Sequence, residues 1–196
     1  MSRTPRIPKA EITGPYGYLV KRFSKKMLGE VPDGAAVMWQ NRPVLMCLSG
    51  LGRKIQKWDQ LDANLKSFAH MAVAAQIGCS FCLDFNYFQA HNEGLDETKA
   101  SEVPRWRESS VFTPLEREVM EYAEAMTETP PRVTDEMSDR LLEQLGAPAL
   151  IELGAIVGFA NLAARGNVAL GIESQGFSNV CALPLAQPSP GYAASA

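Results

Sequence analysis

The sequence predicts an all-α protein, a helical bundle. Apolar residues recur at helical spacing over most of the chain, β-branched residues are sparse, and several segments carry start and stop residues at both ends. No apolar run reads convincingly as a strand.

The elements follow in order. Tyr16 to Leu28 places Leu19, Val20, Phe23, Met27 and Leu28 on one stripe, and Gly29 and Pro32 end it. Pro43 to Ile55 carries Val44, Leu45, Cys47, Leu48 and Leu51 on a second stripe. A third helix spans about Asp62 to Ile77 and stops at Gly78, the residue type expected just past a helix end. A fourth begins at Cys79-Ser80-Phe81-Cys82 and runs to about Asn92, with Gly94 as its stop. Lys99 to Arg107 forms a short helical piece leading into a loop. Thr113-Pro114-Leu115-Glu116 is the clearest start signal, supplying an N-cap hydroxyl, a proline at the first helical position and a capping-box glutamate, so a helix runs from there to about Thr127. Asp135 to Gln144, ending at Gly146, is amphipathic.

Ala149 to Ala164 is the last long helix. It is apolar nearly all round and rich in small residues, so it must be buried. Gly154 and Gly158 permit close backbone approach, and at this length the segment is too short to span a bilayer. Tight packing against another helix or a second copy of the chain is expected, hence a homo-oligomer. Residues 1–15 read as an N-terminal arm, 16–184 as one all-helical domain, and 185–196, with Pro188-Ser189-Pro190-Gly191, as a poorly ordered tail.

Composition excludes several function classes. Nineteen Lys and Arg against 22 Asp and Glu give a net charge of -3 without a long basic run, which argues against nucleic acid as a partner. The first nine residues are polar and broken by proline, with no apolar signal region, so a soluble cytoplasmic protein without a membrane partner is expected. Four cysteines in 196 residues are too few for a disulfide scaffold, and a reducing compartment fits.

Chemistry concentrates at Cys79 and Cys82. Two thiols three residues apart at a helix start form the minimal unit of reversible thiol chemistry: the helix N-terminus lowers a thiol pKa, and the second sulfur can resolve a sulfenic acid or mixed disulfide. Two small buried hydrophobes, or half of a zinc site, are the other readings of the same spacing. The absence of a βαβ pattern removes the thioredoxin fold as host.

The segment Gly78-Cys79-Ser80-Phe81-Cys82-Leu83-Asp84 with Gly94 beyond it resembles the alkylhydroperoxidase D / carboxymuconolactone decarboxylase family. So do the stretch from Trp106 through Phe112-Thr113-Pro114-Leu115-Glu116-Arg117-Glu118 and the small-residue helix continuing to Asn167-Val168-Ala169-Leu170-Gly171. The resemblance covers roughly residues 35–180 and implies an alkylhydroperoxidase D-like bundle. It also implies a thiol-dependent peroxidase or disulfide oxidoreductase, with Cys82 as peroxidatic thiol, Cys79 as resolving thiol and another thiol protein as reductant. The family's decarboxylase branch lacks the cysteine pair, so decarboxylation is not expected. The peroxidases use a glutamate twelve residues before the first cysteine and a histidine four after the second. Here those places hold Ser67 and Asn86, and neither is a base near neutral pH. That substitution favours the competing expectation, a family member that keeps the scaffold to bind a small apolar ligand.

His70 is the best substitute base, one turn after Ser67 and rotated back by roughly 60°; a histidine satisfied by its neighbours is the bland alternative. His91, nine residues past Cys82, falls on nearly the opposite helix face and reads as a surface residue. Asp84 would raise a thiol pKa, so its expected role is helix N-terminal electrostatics. Tyr87 and Asn86 could donate hydrogen bonds to a peroxide or ligand, or simply pack. Zinc needs about four ligands, and His70, His91, Cys47 and Cys181 stand at no ligand spacing, so no metal or cofactor is expected.

Overall fold

In a computed structural model of the chain, which describes residues 5–187, eight α-helices form the fold: α1 (Gly14–Leu28), α2 (Asp33–Met38), α3 (Arg42–Ile55), α4 (Ala63–Ile77), α5 (Ser80–Asn92), α6 (Glu97–Glu102), α7 (Pro114–Thr127) and α8 (Asp135–Leu170). Among the described residues there is no strand. The core is built round α4, which packs against α5, α7 and α8 and buries Leu65, Phe68, Ala69 and every residue from Met71 to Ala75. A helix of that composition is buried on most sides because no polar face remains to turn to water. Thr113 caps α7 as expected: its hydroxyl accepts the Glu116 N–H and the Glu116 carboxylate accepts the Thr113 N–H at 2.7 Å.

The last helical stretch meets one expectation and corrects another. The break expected at Gly146 is there: with φ 76° and ψ 163° this residue is non-helical, a conformation that glycine tolerates readily, so α8 is two helical halves that meet at a kink. Pro148 survives there because it opens the second half, where its missing N–H costs nothing. The second half also runs past Ala164 to Gly171, so the expectation that it is too short to span a bilayer does not hold. Length and composition would allow a crossing, but its inner side packs as a core helix does, with Leu153, Ile156, Val157 and Ala160 buried against α4 and α7.

The expected burial of α8 is one-sided. Ile151 is 73% exposed and Leu162 53%, and Ala155 lies between them on the same face. Gly158 is exposed on that same face, between Ala155 and Leu162, while Gly154 is partly covered; the nearest atoms to a side chain added at the two positions are those of Met126 and Tyr122 on α7, each 4.0 Å away.

The chain ends are tied down further than expected. Arg6 donates to the carbonyls of Val168 and Ala169 at the end of α8, and the Ala10 N–H bonds the Ala36 carbonyl at 3.0 Å. At the other end Leu185 packs on the core and the Ala186 N–H bonds the Ser101 carbonyl at 2.9 Å. The stretch Pro188-Ser189-Pro190-Gly191 lies outside the described residues. The helix α2 and the single 3-10 turns at Trp39–Asn41 and Phe177–Val180 lacked a periodic signal, being shorter than two helical turns.

Candidate active site

The thiols sit at a corner made by backbone geometry. Gly78 ends α4 in a left-handed conformation, φ 77° and ψ 28°; its N–H bonds the Ala75 carbonyl and that of Cys79 bonds the Ala74 carbonyl. No linker intervenes, so Cys79 is at once the residue after the α4 cap and the N-cap of α5. Its sulfur accepts the Cys82 N–H at 3.2 Å. The two residues form a disulfide with Cα atoms 5.3 Å apart, and both are almost fully buried.

Asn167, near the end of α8, directs its side-chain N–H at the Cys82 sulfur over 3.3 Å. A donor of this kind favours the thiolate over the thiol once the disulfide is reduced. The sequence quoted Asn167 only as part of a family-like stretch; its role required knowing where α8 passes. Removing the donor, as in Asn167→Ala, should raise the Cys82 pKa by about 1 to 2 units, since a hydrogen bond to a charged group contributes about 1.5 to 3 kcal/mol. The pH profile of iodoacetamide labelling at Cys82 in reduced protein reads this directly, and an unchanged midpoint would remove Asn167 from the site.

The other expected residues divide. Asn86 donates to the Cys82 carbonyl at 2.6 Å, bracing the first turn of α5 rather than pointing a donor at the sulfurs. Among the described residues the Ser67 hydroxyl reaches only the Met71 sulfur, at 3.8 Å. His70 lies edge-on to Phe159 with ring centres 6.1 Å apart, and no hydrogen bond joins it to either cysteine among the described residues. Burial alone lowers its pKa to about 4. The Tyr87 hydroxyl is committed to the Leu183 carbonyl at 2.8 Å.

Asp84 does more than charge a helix end. Its buried carboxylate accepts the backbone N–H groups of Gly176, Phe177 and Ser178 and the hydroxyls of Ser174 and Ser178, all within 3.0 Å. Burial pulls the carboxyl pKa up, but the hydrogen bonds from Ser178, Ser174 and Phe177 outweigh it and hold it below the usual range. The segment so anchored carries Phe177, whose ring lies edge-on to the stacked pair Phe81 and Phe85. An aromatic cluster thus forms on the first turns of α5, the helix that the cysteine pair opens. His91 is not a bare surface residue either: its Nδ1 is 2.8 Å from Glu97 Oε2.

Fold and site together define an all-helical protein with a buried Cys-x-x-Cys disulfide at a helix N-terminus. The model of the carboxymuconolactone decarboxylase family matches residues 48–125. The chain is 32% identical over 175 residues to the uncharacterised protein YnjA of Escherichia coli strain K12, covering 88% of this chain and 92% of that one. It belongs to the carboxymuconolactone decarboxylase family.

Two solved structures share the fold. A cysteine-to-alanine variant of the debrominase Bmp8 in complex with 2,3,4-tribromopyrrole superposes with a TM-score of 0.76 at 21% identity, over 90% of this chain and 95% of that one. The alkylhydroperoxidase AhpD core of an uncharacterised peroxidase-related protein from Ralstonia eutropha JMP134 gives 0.76 at 15% identity, over 90% and 96%. The alkylhydroperoxidase D-like bundle expected from the sequence is the fold of this chain.

Proposed function

We propose that this protein is a thiol–disulfide oxidoreductase in which Cys82 attacks the substrate and Cys79 resolves the product. The observation that carries the reading is the Cys79–Cys82 disulfide with the Asn167 amide aimed at the Cys82 sulfur. The helix N-terminus and that amide stabilise negative charge at Cys82, which is what a nucleophilic thiol requires. With a peroxide, the Cys82 thiolate takes the terminal oxygen and releases an alcohol; the sulfenic acid then condenses with the Cys79 thiol, losing water and leaving the disulfide. Two electrons pass from the thiols to the O–O bond. A dithiol reductant, another thiol protein, restores the pair by exchange.

The aromatic cluster favours a second substrate class. Phe81, between the two cysteines in sequence, stacks on Phe85 and meets Phe177 edge-on, and the debrominase that shares the fold was crystallised with a flat halogenated ring. Replacing C–Br by C–H also takes two electrons, and oxidation of the dithiol to the disulfide supplies them with release of bromide and one proton. One experiment separates the readings. Reduced protein is given cumene hydroperoxide or 2,3,4-tribromopyrrole with excess dithiothreitol, and alcohol or bromide is measured against a Cys82→Ser control. Mass spectrometry of the peptide carrying both cysteines should show loss of two hydrogens after turnover. Activity of Cys82→Ser equal to that of the parent on both substrates would leave binding of an apolar ligand as the role of the scaffold.

The protein acts as a homo-oligomer in this proposal, because the α8 face of Ile151, Ala155 and Leu162 is more apolar than water-facing helices usually are. Sedimentation at micromolar concentration should give an oligomer, and Ile151→Asp with Leu162→Asp should dissociate it. A monomeric parent would sink the idea. A cytoplasmic, reducing location suits a site that must be re-reduced.

A further inference from the structure

Beyond the cysteine pair the fold brings together three donors, two of them close in sequence and the third some 80 residues further on. His91 ends α5, Glu97 opens α6, and Cys181 follows the turn at Phe177–Val180. One ligand-capable atom from each lies within 4.8 Å of the other two. Of the four residues expected to stand at no ligand spacing, His70, His91, Cys47 and Cys181, the fold brings His91 and Cys181 together, with Glu97 as the third donor. The spacing rule misses the group because folding, not a local motif, supplies the third ligand.

From this juxtaposition we infer that His91, Glu97 and Cys181 form a site for a divalent transition-metal ion, with zinc the ion whose nitrogen, oxygen and sulfur preferences fit the set. Three protein ligands leave a fourth position for water. The donors are held in place by the backbone around them. The Glu97 carboxylate accepts the Leu183 N–H at 3.1 Å through Oε1, which leaves Oε2 for His91 and for an ion. The Cys181 N–H bonds the Ser178 carbonyl, and Ser178 is itself held by Asp84. Beyond the thiol, the Leu183 carbonyl accepts the Tyr87 hydroxyl. Cys181 is thus fixed from both sides.

The electrostatics suit a cation. Burial, and after it the charges of Glu97 and Asp84, push the Cys181 thiol pKa up to about 11. The bare protein therefore keeps a neutral thiol there, whereas a dication would reverse that balance and take the thiolate as ligand. Binding would displace the thiol proton to solvent. Nδ1 and Oε2, now 2.8 Å apart, would part to roughly 3.3 Å, the separation of two ligands about 2.05 Å from a tetrahedral ion. Nδ1 would bind through its lone pair, with the imidazole hydrogen on Nε2. His91 and Cys181 are only half-buried, so the ion has a path in from water. The role would be a clasp, fastening the segment after Phe177 to α5 and α6.

The test uses the full chain with Cys79 and Cys82 oxidised and with Cys47→Ser, so that Cys181 is its free thiol. Cobalt(II) is the probe, because a cobalt–thiolate bond gives a near-ultraviolet charge-transfer band. One equivalent should bring the band to its plateau, zinc should bleach it, and Cys181→Ser should abolish it. Glu97→Gln, which keeps the carbonyl acceptor for Leu183, and His91→Phe should each weaken binding at least about 10-fold, as loss of even outer partners does in other metal sites. Metal-free melting curves show which variants fold; if Cys181→Ser does not, Glu97→Gln decides by the same titration. No band at 100 µM cobalt, or a band undiminished in the folded variants, overturns the site.

Discussion

Peroxide turnover by the double variant Ser67→Glu with Asn86→His is expected to exceed that of the parent by about 10²- to 10⁴-fold, the usual contribution of positioned general acids and bases. The two positions are those at which the family resemblance implies a proton relay, and here they hold side chains that do not titrate. Ser67 spends its hydroxyl on the Met71 sulfur, and Asn86 braces the Cys82 carbonyl. His70 is a poor stand-in. With a pKa lowered to about 4, it would accept a proton from an ordinary thiol at a cost of roughly 6 kcal/mol, the gap between 4 and about 8.5 at 1.36 kcal/mol per unit. A peroxide-consumption assay with an artificial dithiol reductant compares the parent, the double variant and His70→Ala. If His70→Ala loses activity and the double variant gains nothing, His70 supplies the proton transfer after all. If restoring the relay leaves a parent as slow as Cys82→Ser unimproved, the peroxide branch of the proposal falls.

The second large effect concerns stability in acid. His70 is neutral in the folded protein down to about pH 4, whereas in the unfolded chain it takes a proton below its ordinary 6.5. Between those values the unfolded state binds more protons, so stability falls as pH falls. The contribution is intact above pH 6.5, declines progressively below it, and has cost about 3 kcal/mol by pH 4. Urea unfolding of the parent and of His70→Gln at pH 7, 5.5 and 4 isolates this term from the carboxylates, which titrate in both. The loss between pH 7 and pH 4 should be about 3 kcal/mol smaller in the variant. Equal losses would mean that the ring is charged, or well hydrated, in the native state.

The aligned requirements of helix formation made most of the fold legible. For α7 the hydroxyl, proline and glutamate in Thr113-Pro114-Leu115-Glu116 state the start without reference to any other part of the chain, and the hydrogen bonds agree. Gly78 likewise marks the corner between α4 and α5, because a left-handed turn there is a local need that glycine meets. The same reasoning placed the break at Gly146, whose non-helical φ and ψ part the two halves of α8, but ended the second half at Ala164, whereas it runs to Leu170.

The sequence by itself determined that this chain is helical, where its two thiols lie, and that they open a helix, because backbone propensity and one-turn spacing act over a few residues. Only the tertiary structure decided what surrounds those thiols. Asn167 reaches Cys82 across 85 positions, Asp84 gathers the loop at 174–178, and Cys181 meets His91 and Glu97. Each depends on where distant helices pass one another, which packing of the whole core fixes and no local pattern records.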